Sequence, residues 1–358
     1  MNAFDYEKIL PTLMTPAVVN AVSGIHEHRG KQDLYLVTEP DRLERLCEVA
    51  KIQSTGASNR IEGIGTSDGR LRDLVEMRTE PRNRDEREIA GYRYALNMIH
   101  ESHDHIDVTP GVLLRLHRDL YRYQDVPFAG RWKDSDNVIA ERDEEGGLVA
   151  RFVPTSALLA PDAVTSLCDT YAVVSAEGVW DPLLVCCLFV FDFVSIHPFS
   201  DGNGRMSRLL TLLLLYRGGY LVGKYVSIEQ EIENTKETYH EALAASSIGW
   251  ADGANDYLPF VTYLLGVVSA CYKALDERMA VVSSEGTNEG ALRAYFGGLV
   301  GSASKRRIMD DNPQMSQKTI ERILRTLQEE GVVEKIGAAR STSYRKVRET
   351  MAPPKAER

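Results

Sequence analysis

Twelve consecutive residues carry most of the chemistry in this chain: His197-Pro198-Phe199-Ser200-Asp201-Gly202-Asn203-Gly204-Arg205-Met206-Ser207-Arg208. An unperturbed imidazole titrates near neutrality, so His197 can take a proton from a hydroxyl. Asp201 offers the oxygen ligand that Mg²⁺ accepts alongside phosphate oxygens and water. Gly202-Asn203-Gly204 falls where a helix begins, and free N–H groups at a helix start attract an anion. Arg205 and Arg208, three apart, share a helix face from which to clamp phosphate oxygens. Phe199 reads as the anchor that packs the loop. Together these groups suit a nucleoside triphosphate and an incoming hydroxyl; a capped helical hairpin with a surface loop is the plain alternative. No Gly-x-x-x-x-Gly-Lys-Ser/Thr occurs, which excludes a Walker phosphate loop.

Two helices must hold this loop. Asp181 followed by Pro182 reads as an N-cap with proline at the first helical position. Residues 182–196 are apolar nearly all round, which predicts a central, buried helix ending just before His197. Residues 206–217 predict a second apolar helix, stopped by Gly218-Gly219. The chemistry therefore belongs to a helix–loop–helix junction.

The twelve residues resemble the signature of the Fic (Fic/Doc) family, His-x-Phe-x-Asp/Glu-Gly-Asn-Gly-Arg-x-x-Arg, at every defined position. The resemblance implies a mainly α fold, a Fic-type helical domain with a small β-hairpin flap. It also implies transfer of AMP from ATP, with Mg²⁺, to a hydroxyl side chain of a target protein. The roles it implies are general base for His197 and metal ligand for Asp201. Gly202, Asn203, Gly204 and Arg205 would bind phosphates, and Arg208 the γ-phosphate. Upstream, Ser58-Asn59-Arg60-Ile61-Glu62-Gly63 resembles the family's inhibitory motif, Ser/Thr-x-x-x-Glu-Gly/Asn. Ser58 and Glu62, four apart, face one way on a helix. Ser58, Glu62 and Gly63 are the inhibitory candidates, with Glu62 paired to Arg208; a solvated helix end with a glycine stop is the alternative.

Two short apolar runs, 137–140 and 148–153, flank the charged stretch 141–147 and predict a hairpin. The resemblance makes it a flap that pairs with the target backbone, with Val138, Ile139 and Phe152 as docking candidates. An ordinary surface hairpin is the alternative. Tyr239 precedes His240 where relatives often carry Tyr-Tyr. It is the candidate contact for the nucleotide base, or else part of the core face of an amphipathic helix.

At 358 residues the chain has room for one or two sizeable domains. Hydrophobic content of 43% and charged content of 26% suit a soluble globular chain. Asp5 and Glu7, with no apolar stretch beside them, argue against a secretory signal. The longest apolar runs, beside the motif, are too short and interrupted to cross a bilayer. Five cysteines, two of them adjacent at 186 and 187, form neither a disulfide framework nor a zinc pattern. They read as buried free thiols in a reducing cytoplasm.

Residues 1–105 read as a helical N-terminal region with the inhibitory helix near 43–63, and 106–275 as the catalytic domain. Helices are expected from about Asp41, over 84–102 with Ala90, Tyr94, Leu96 and Ile99 inward, and after Thr109-Pro110 with Leu113, Leu114, Leu116 and Leu120 at helical spacing. Residues 276–289 are polar and glycine-dotted, a linker by composition. Beyond it the charge changes sign: 304–348 hold eleven Lys/Arg and six Asp/Glu within a chain of net −10. Residues 316–331 form an amphipathic pattern with Ile320, Ile323, Leu324 and Leu327 inward, followed by two short strands around a basic turn. Residues 290–348 thus resemble a winged helix-turn-helix module. Its Ser316, Lys318, Thr319, Arg322 and Arg340 are candidates for DNA phosphates or base edges, although many such modules bind proteins instead. Residues 349–358 read as a disordered tail.

The leading expectation is an autoinhibited protein adenylyltransferase that moves AMP to a Ser, Thr or Tyr of a target protein, with auto-modification included. One alternative is an enzyme that removes AMP from modified proteins, with Glu62 positioning water. Another is a DNA-binding regulator whose Fic-like domain senses nucleotide. An apolar patch on the N-terminal body would support a homodimer.

Overall fold

Prolines and small polar caps set most helix starts in this protein, whose computed structural model describes residues 4–142, 148–283, 288–299, 302–337 and 342–347. Of 139–142, 148–151 and 280–283 only the backbone is described. The hairpin tip 143–147, residues 284–287 of the expected linker, Arg340 and the tail 349–358 lie outside the described residues.

The body runs α1 (Tyr6–Thr12), α2 (Pro16–Thr38), α3 (Pro40–Ile61), α4 (Asp68–Val75), α5 (Arg84–Ser102) and α6 (Pro110–Leu120). The hairpin β1 (Ile139–Arg142) and β2 (Leu148–Phe152) follows. Then come α7 (Ala160–Glu177), α8 (Pro182–Ile196), α9 (Asn203–Arg217), α10 (Ile228–Asn234), α11 (Lys236–Ser247) and α12 (Leu258–Ser283). Thr15, Thr109 and Asp181 cap α2, α6 and α8 with side-chain oxygens, each beside a proline in the first turn.

The two helices that frame the motif are the core. All of α8 except Pro182 and Val194 is buried, as is α9 apart from Gly204 and Arg217. They pack on each other, and α7, α12 and α5 close around them. Such a helix pair has no solvent face, so its apolar sequence all round is its packing requirement. Polar side chains are nonetheless buried in it, among them Asp192, Ser195, Asn203, Arg205 and Arg208. Asp192 on α8 is fully buried, and it accepts from Tyr6 Oη (2.7 Å), Trp250 Nε1 (2.7 Å) and Tyr257 Oη (2.9 Å). Burial pushes its carboxyl up to about 7 against those three donors.

Several local expectations need correction. Tyr94 is half-buried with the Arg122 guanidinium 4.4 Å from its ring centre, and Tyr92, fully buried, takes the inward place. α5 is covered on more than one side, so a single 3.6-residue face underestimates its core set. Cys47 is half-buried, whereas Cys168, Cys186, Cys187 and Cys271 are buried. α12 continues to Ser283, well into the stretch expected to be linker. The longest apolar helix is also α12, not a neighbour of the motif: Leu258–Met279 is long and apolar enough to cross a membrane by length and composition. Half of that stretch is buried inside the fold, where it packs on α2, α8 and α11.

The C-terminal unit comprises α13 (Asn288–Gly298), β3 (Ala303–Ser304), α14 (Lys305–Asp311), α15 (Gln317–Glu329), β4 (Val333–Ile336) and β5 (Ser343–Lys346). Its strands form an antiparallel sheet in the order β3-β5-β4. Ile320, Ile323, Leu324 and Leu327 of α15 are buried in a core of its own, separate from the body's. An ion pair between Arg72 and Asp310 (2.6 Å) ties α14 to α4.

Candidate active site

α8 ends by turning sharply at His197, which adopts a left-handed conformation (φ 52°, ψ 59°). A non-glycine residue there stores about 1–3 kcal/mol of strain, a cost usually met at functional positions. The turn keeps the His197 amide on Phe193 O (3.0 Å) and places Nδ1 3.3 Å from Val194 O. A carbonyl can only accept, so Nδ1 carries the proton and Nε2 is left as the acceptor. Burial holds the imidazole down to about 4; the Val194 carbonyl opposes that shift and the Lys133 ammonium adds to it. His197 is thus neutral at pH 7, the state a base requires.

The loop after it is held from both sides. The Phe199 ring lies between His117 (centroids 3.8 Å apart, 2° from parallel) and Trp132 (5.1 Å, 26°). Asn203 folds back on the loop: Oδ1 accepts from the Phe199 amide (2.9 Å) and Nδ2 donates to Phe199 O (2.7 Å). His117 Nδ1 accepts from the Gly130 amide (3.0 Å), so Nε2 is the donor to Asp201 O (3.0 Å). Gly202 takes φ 81°, and a side chain there would strike Tyr121.

With Asn203 turned away, α9 begins with no side-chain cap. Its first backbone bond runs from Met206 N–H to Gly202 O (2.9 Å), which leaves the amides of 203–205 as an anion cradle. An acid already stands over that cradle. A Cβ placed on Gly204 would collide with the Glu62 carboxylate. Glu62 is the C-cap of α3, and Gly63 beyond it takes φ 77°. Arg208 NH2 donates to Glu62 Oε1 (2.7 Å) and to Ser58 O (2.8 Å), while its Nε donates to Ser58 Oγ (2.8 Å). Burial favours the neutral acid, but the charge and hydrogen bond of Arg208 outweigh it and hold Glu62 below the usual carboxylate range. The last turn of α3 is itself clamped. Arg60 grips Glu233 through two bonds (2.7 and 2.6 Å), and Lys236 Nζ donates to Ile61 O (3.0 Å).

Arg205 is held differently. It is 1% exposed, with NH1 2.7 Å from Glu88 Oε2 and NH2 donating to Tyr121 Oη (2.9 Å). The other oxygen of Glu88, Oε1, accepts from Arg84 Nε (2.8 Å). Asp201 is 47% exposed, with one oxygen on the Gly202 amide (2.7 Å) and the other 3.9 Å from Arg205. A half-open carboxylate beside an anion cradle suits Mg²⁺ held jointly with phosphate oxygens. No cluster of three or more potential protein ligands exists among the described residues, so an all-protein metal cage is not what the residues provide.

The structure therefore brings His197, Asp201, Gly202, Asn203, Gly204, Arg208, Ser58, Glu62 and Gly63 together, with Arg205 buried directly behind. The hairpin is present: β1 and β2 pair antiparallel, Ile139 opposite Phe152, with an irregularity after Ile139. Val138 is 55% exposed; the Ile139 side chain lies outside the described residues. Phe152 packs half-buried against Trp250 (6.1 Å), an inward contact. Tyr239 is buried, its ring among Phe260, Tyr263 and His240. Ser316, Lys318 and Arg322 are exposed on the C-terminal unit, and Thr319 is half-buried. Sequence reasoning missed Glu88, His117, Tyr121, Lys133 and Asn137. Only Glu88 left a signal, its i,i+4 spacing from Arg84.

Residues 107–215 match the Fic/DOC family. Among curated proteins, the chain is 30% identical over 205 residues to "Protein adenylyltransferase Fic" of Drosophila yakuba, covering 56% of this chain and 37% of that protein. It is 27% identical over 212 residues to "Protein adenylyltransferase fic-1" of Caenorhabditis elegans, covering 57% of this chain and 37% of the relative. The chain thus spans little more than a third of the length of these relatives. Among solved structures, a Fic family protein from Desulfovibrio desulfuricans G20 superposes with a TM-score of 0.60 at 25% identity, covering 95% of this chain and 98% of that one. A Fic domain containing signaling protein from Bacteroides thetaiotaomicron VPI-5482 gives 0.59 at 25% identity, covering 78% and 100%.

Proposed function

We propose that this chain is an ATP- and Mg²⁺-dependent protein adenylyltransferase held inactive by the end of its own α3. The observation that carries the reading is the Glu62 carboxylate standing on Gly204 at the start of α9, paired with Arg208, beside a neutral His197. In the reaction, a target Ser, Thr or Tyr hydroxyl attacks the α-phosphorus of ATP. The new O–P bond forms as the bond to pyrophosphate breaks, and the hydroxyl proton passes to His197 Nε2. The amides of 203–205, pre-aimed by α9, stabilise developing phosphate charge. Asp201 would hold Mg²⁺ with the phosphates, and the ion would neutralise their charge. Arg208 would bind the γ-phosphate once released from Glu62, since the same N–H groups cannot hold both. The exposed Val138 edge of the hairpin would receive the target backbone.

The test is incubation of wild type, Glu62→Gly and Glu62→Gly/His197→Ala with α-labelled ATP. Glu62→Gly labels itself or a target far more strongly than wild type, and the double variant is silent. An enzyme that removes AMP would instead lose that activity in Glu62→Gly, and a regulator that only senses nucleotide would label in no variant. Equal labelling by wild type and Glu62→Gly across a range of ATP and Mg²⁺ would sink the inhibitory role of Glu62.

For the C-terminal unit we read a winged helix-turn-helix, supported by its three helices, its β3-β5-β4 sheet and the exposed Ser316, Lys318 and Arg322 on α15. Duplex DNA affinity that falls steeply with salt would support DNA binding; affinity indifferent to salt and to Arg322→Ala would turn the reading toward a protein partner. Leu34 and Val37, exposed on α2, are the residues a homodimer contact would cover.

A further inference from the structure

The segment leading into β1 is sewn to the loop beside His197 at two successive carbonyls. Lys133 N–H donates to Pro198 O (2.9 Å). Lys133 Nζ donates to Asn137 Oδ1 (2.7 Å), and Asn137 Nδ2 donates to Phe199 O (3.3 Å). Pro198 directly follows the proposed base, and Asn137 stands two residues before Ile139 opens the hairpin. The Lys133 side chain pays for this position in lost solvation, because the residue is only 3% exposed.

A structural tie does not need that charge. Glutamine could donate to Asn137 without burying an ammonium. The other cations of the site are already matched, Arg205 to Glu88 and Arg208 to Glu62. Among the described residues, Asp136 is the charged group that acts on Lys133, and one oxygen of Asp136 accepts from the Ala157 amide (2.6 Å).

We propose that Lys133 is a positioning residue for His197, fastening the hairpin root to the loop that carries the base and placing a positive charge beside the imidazole. Through Asn137 the setting of the hairpin and the orientation of His197 change together, so a target strand seated on the hairpin would be felt at the base. The inference deepens the transferase reading and rests on it for its kinetic consequences. The charges that act on His197 come from three places: Lys133 before the hairpin, Glu62 at the end of α3 and Asp201 in the loop. Lys133 favours the neutral imidazole, and the two carboxylates favour the protonated one. Burial holds the Lys133 amine itself down to about 8, so it remains largely charged at pH 7.

The experiment compares Lys133→Met, Lys133→Arg and Asn137→Ala, each in the Glu62→Gly background. Two readouts are taken, AMP-transfer kinetics and NMR titration of the His197 ring, assigned by its loss in His197→Asn. Thermal melting confirms that each variant is folded. In Lys133→Met, kcat falls on the order of 10²-fold, the scale of a misplaced reacting group, while the KM for ATP holds. Its His197 titration and the acid limb of its rate profile move to higher pH. Lys133→Arg keeps the parent titration and recovers most of the rate. Asn137→Ala loses rate with the titration unmoved. If the Glu62→Gly parent transfers no AMP, the transferase reading fails and the ring titration alone decides the role of Lys133. A His197 titration unchanged in Lys133→Met overturns the proposal, as does an arginine variant as impaired as the methionine one.

Discussion

At the scale of single residues, the site is a set of groups forced into uncommon states. His197 is strained in its backbone and neutral in its ring, both consequences of ending a buried helix. The depressed pKa has a kinetic sign. A base that protonates only near pH 4 stays competent throughout the neutral range. On the transferase reading, kcat/KM of Glu62→Gly is level from about pH 8 to 6 and falls only as pH approaches the His197 value. A fall beginning near pH 7, in protein that remains folded, would assign the limb to another group. The same shift acts on stability with the opposite order of states. The unfolded imidazole binds its proton at higher pH than the folded one, so its contribution is lost as pH drops from about 6.5 toward 4. The motif residues were legible because their chemistry lies within one short stretch. Glu88, His117, Tyr121 and Lys133 come from distant segments, and apart from the i,i+4 spacing of Arg84 and Glu88 no local pattern marks a buried partner that packing alone delivers.

At the scale of elements, close approach does the positioning. α5 carries Glu88 to Arg205, and α6 carries His117 and Tyr121 to the loop, so their mutual packing sets half the site. Gly91 is the point where they touch: a Cβ there would overlap the Leu120 carbonyl. Backbone cannot move aside as a side chain does. Gly91→Ala therefore destabilises the protein by at least about 1–3 kcal/mol despite its better helix propensity. Thermal or urea unfolding checks this, and a variant as stable as wild type would mean that α6 slides freely. The helix boundaries were legible from caps and prolines, as at Asp181-Pro182 and Thr109-Pro110. The end of α12 was not, since a polar composition says loop while a helix continuing from an anchored core needs no apolar face of its own.

At the scale of the molecule, the C-terminal unit has its own core and meets the body at α4 through Arg72 and Asp310. Every proposed catalytic group lies before it. Deleting residues 284–358 from Glu62→Gly should leave AMP transfer within a few-fold of the full-length variant, read by the same labelling assay. Loss of transfer in a truncation that still melts cooperatively would make the unit part of the enzyme. The unit's helix α15 and the strands after it were legible from the amphipathic run 316–331 and the turn signals that follow. Its seat on the body was not, because an ion pair between Arg72 and Asp310 leaves no trace in either local sequence.

The double clamp on the last turn of α3 has a consequence for control. On the proposed reading Glu62 is a tethered rival of the nucleotide, and a tethered rival acts at a local concentration fixed by the stiffness of its tether, on the order of millimolar even for short flexible ones. Arg60 on Glu233 and Lys236 on Ile61 O make this tether stiff. Repression should then be graded. Slackening the tether at Arg60 or Lys236 would dilute the rival without altering it, and the ATP level needed for half-maximal output would slide downward in proportion. The set point of such an enzyme would be written in a pair of surface-side contacts, well away from any atom that reacts.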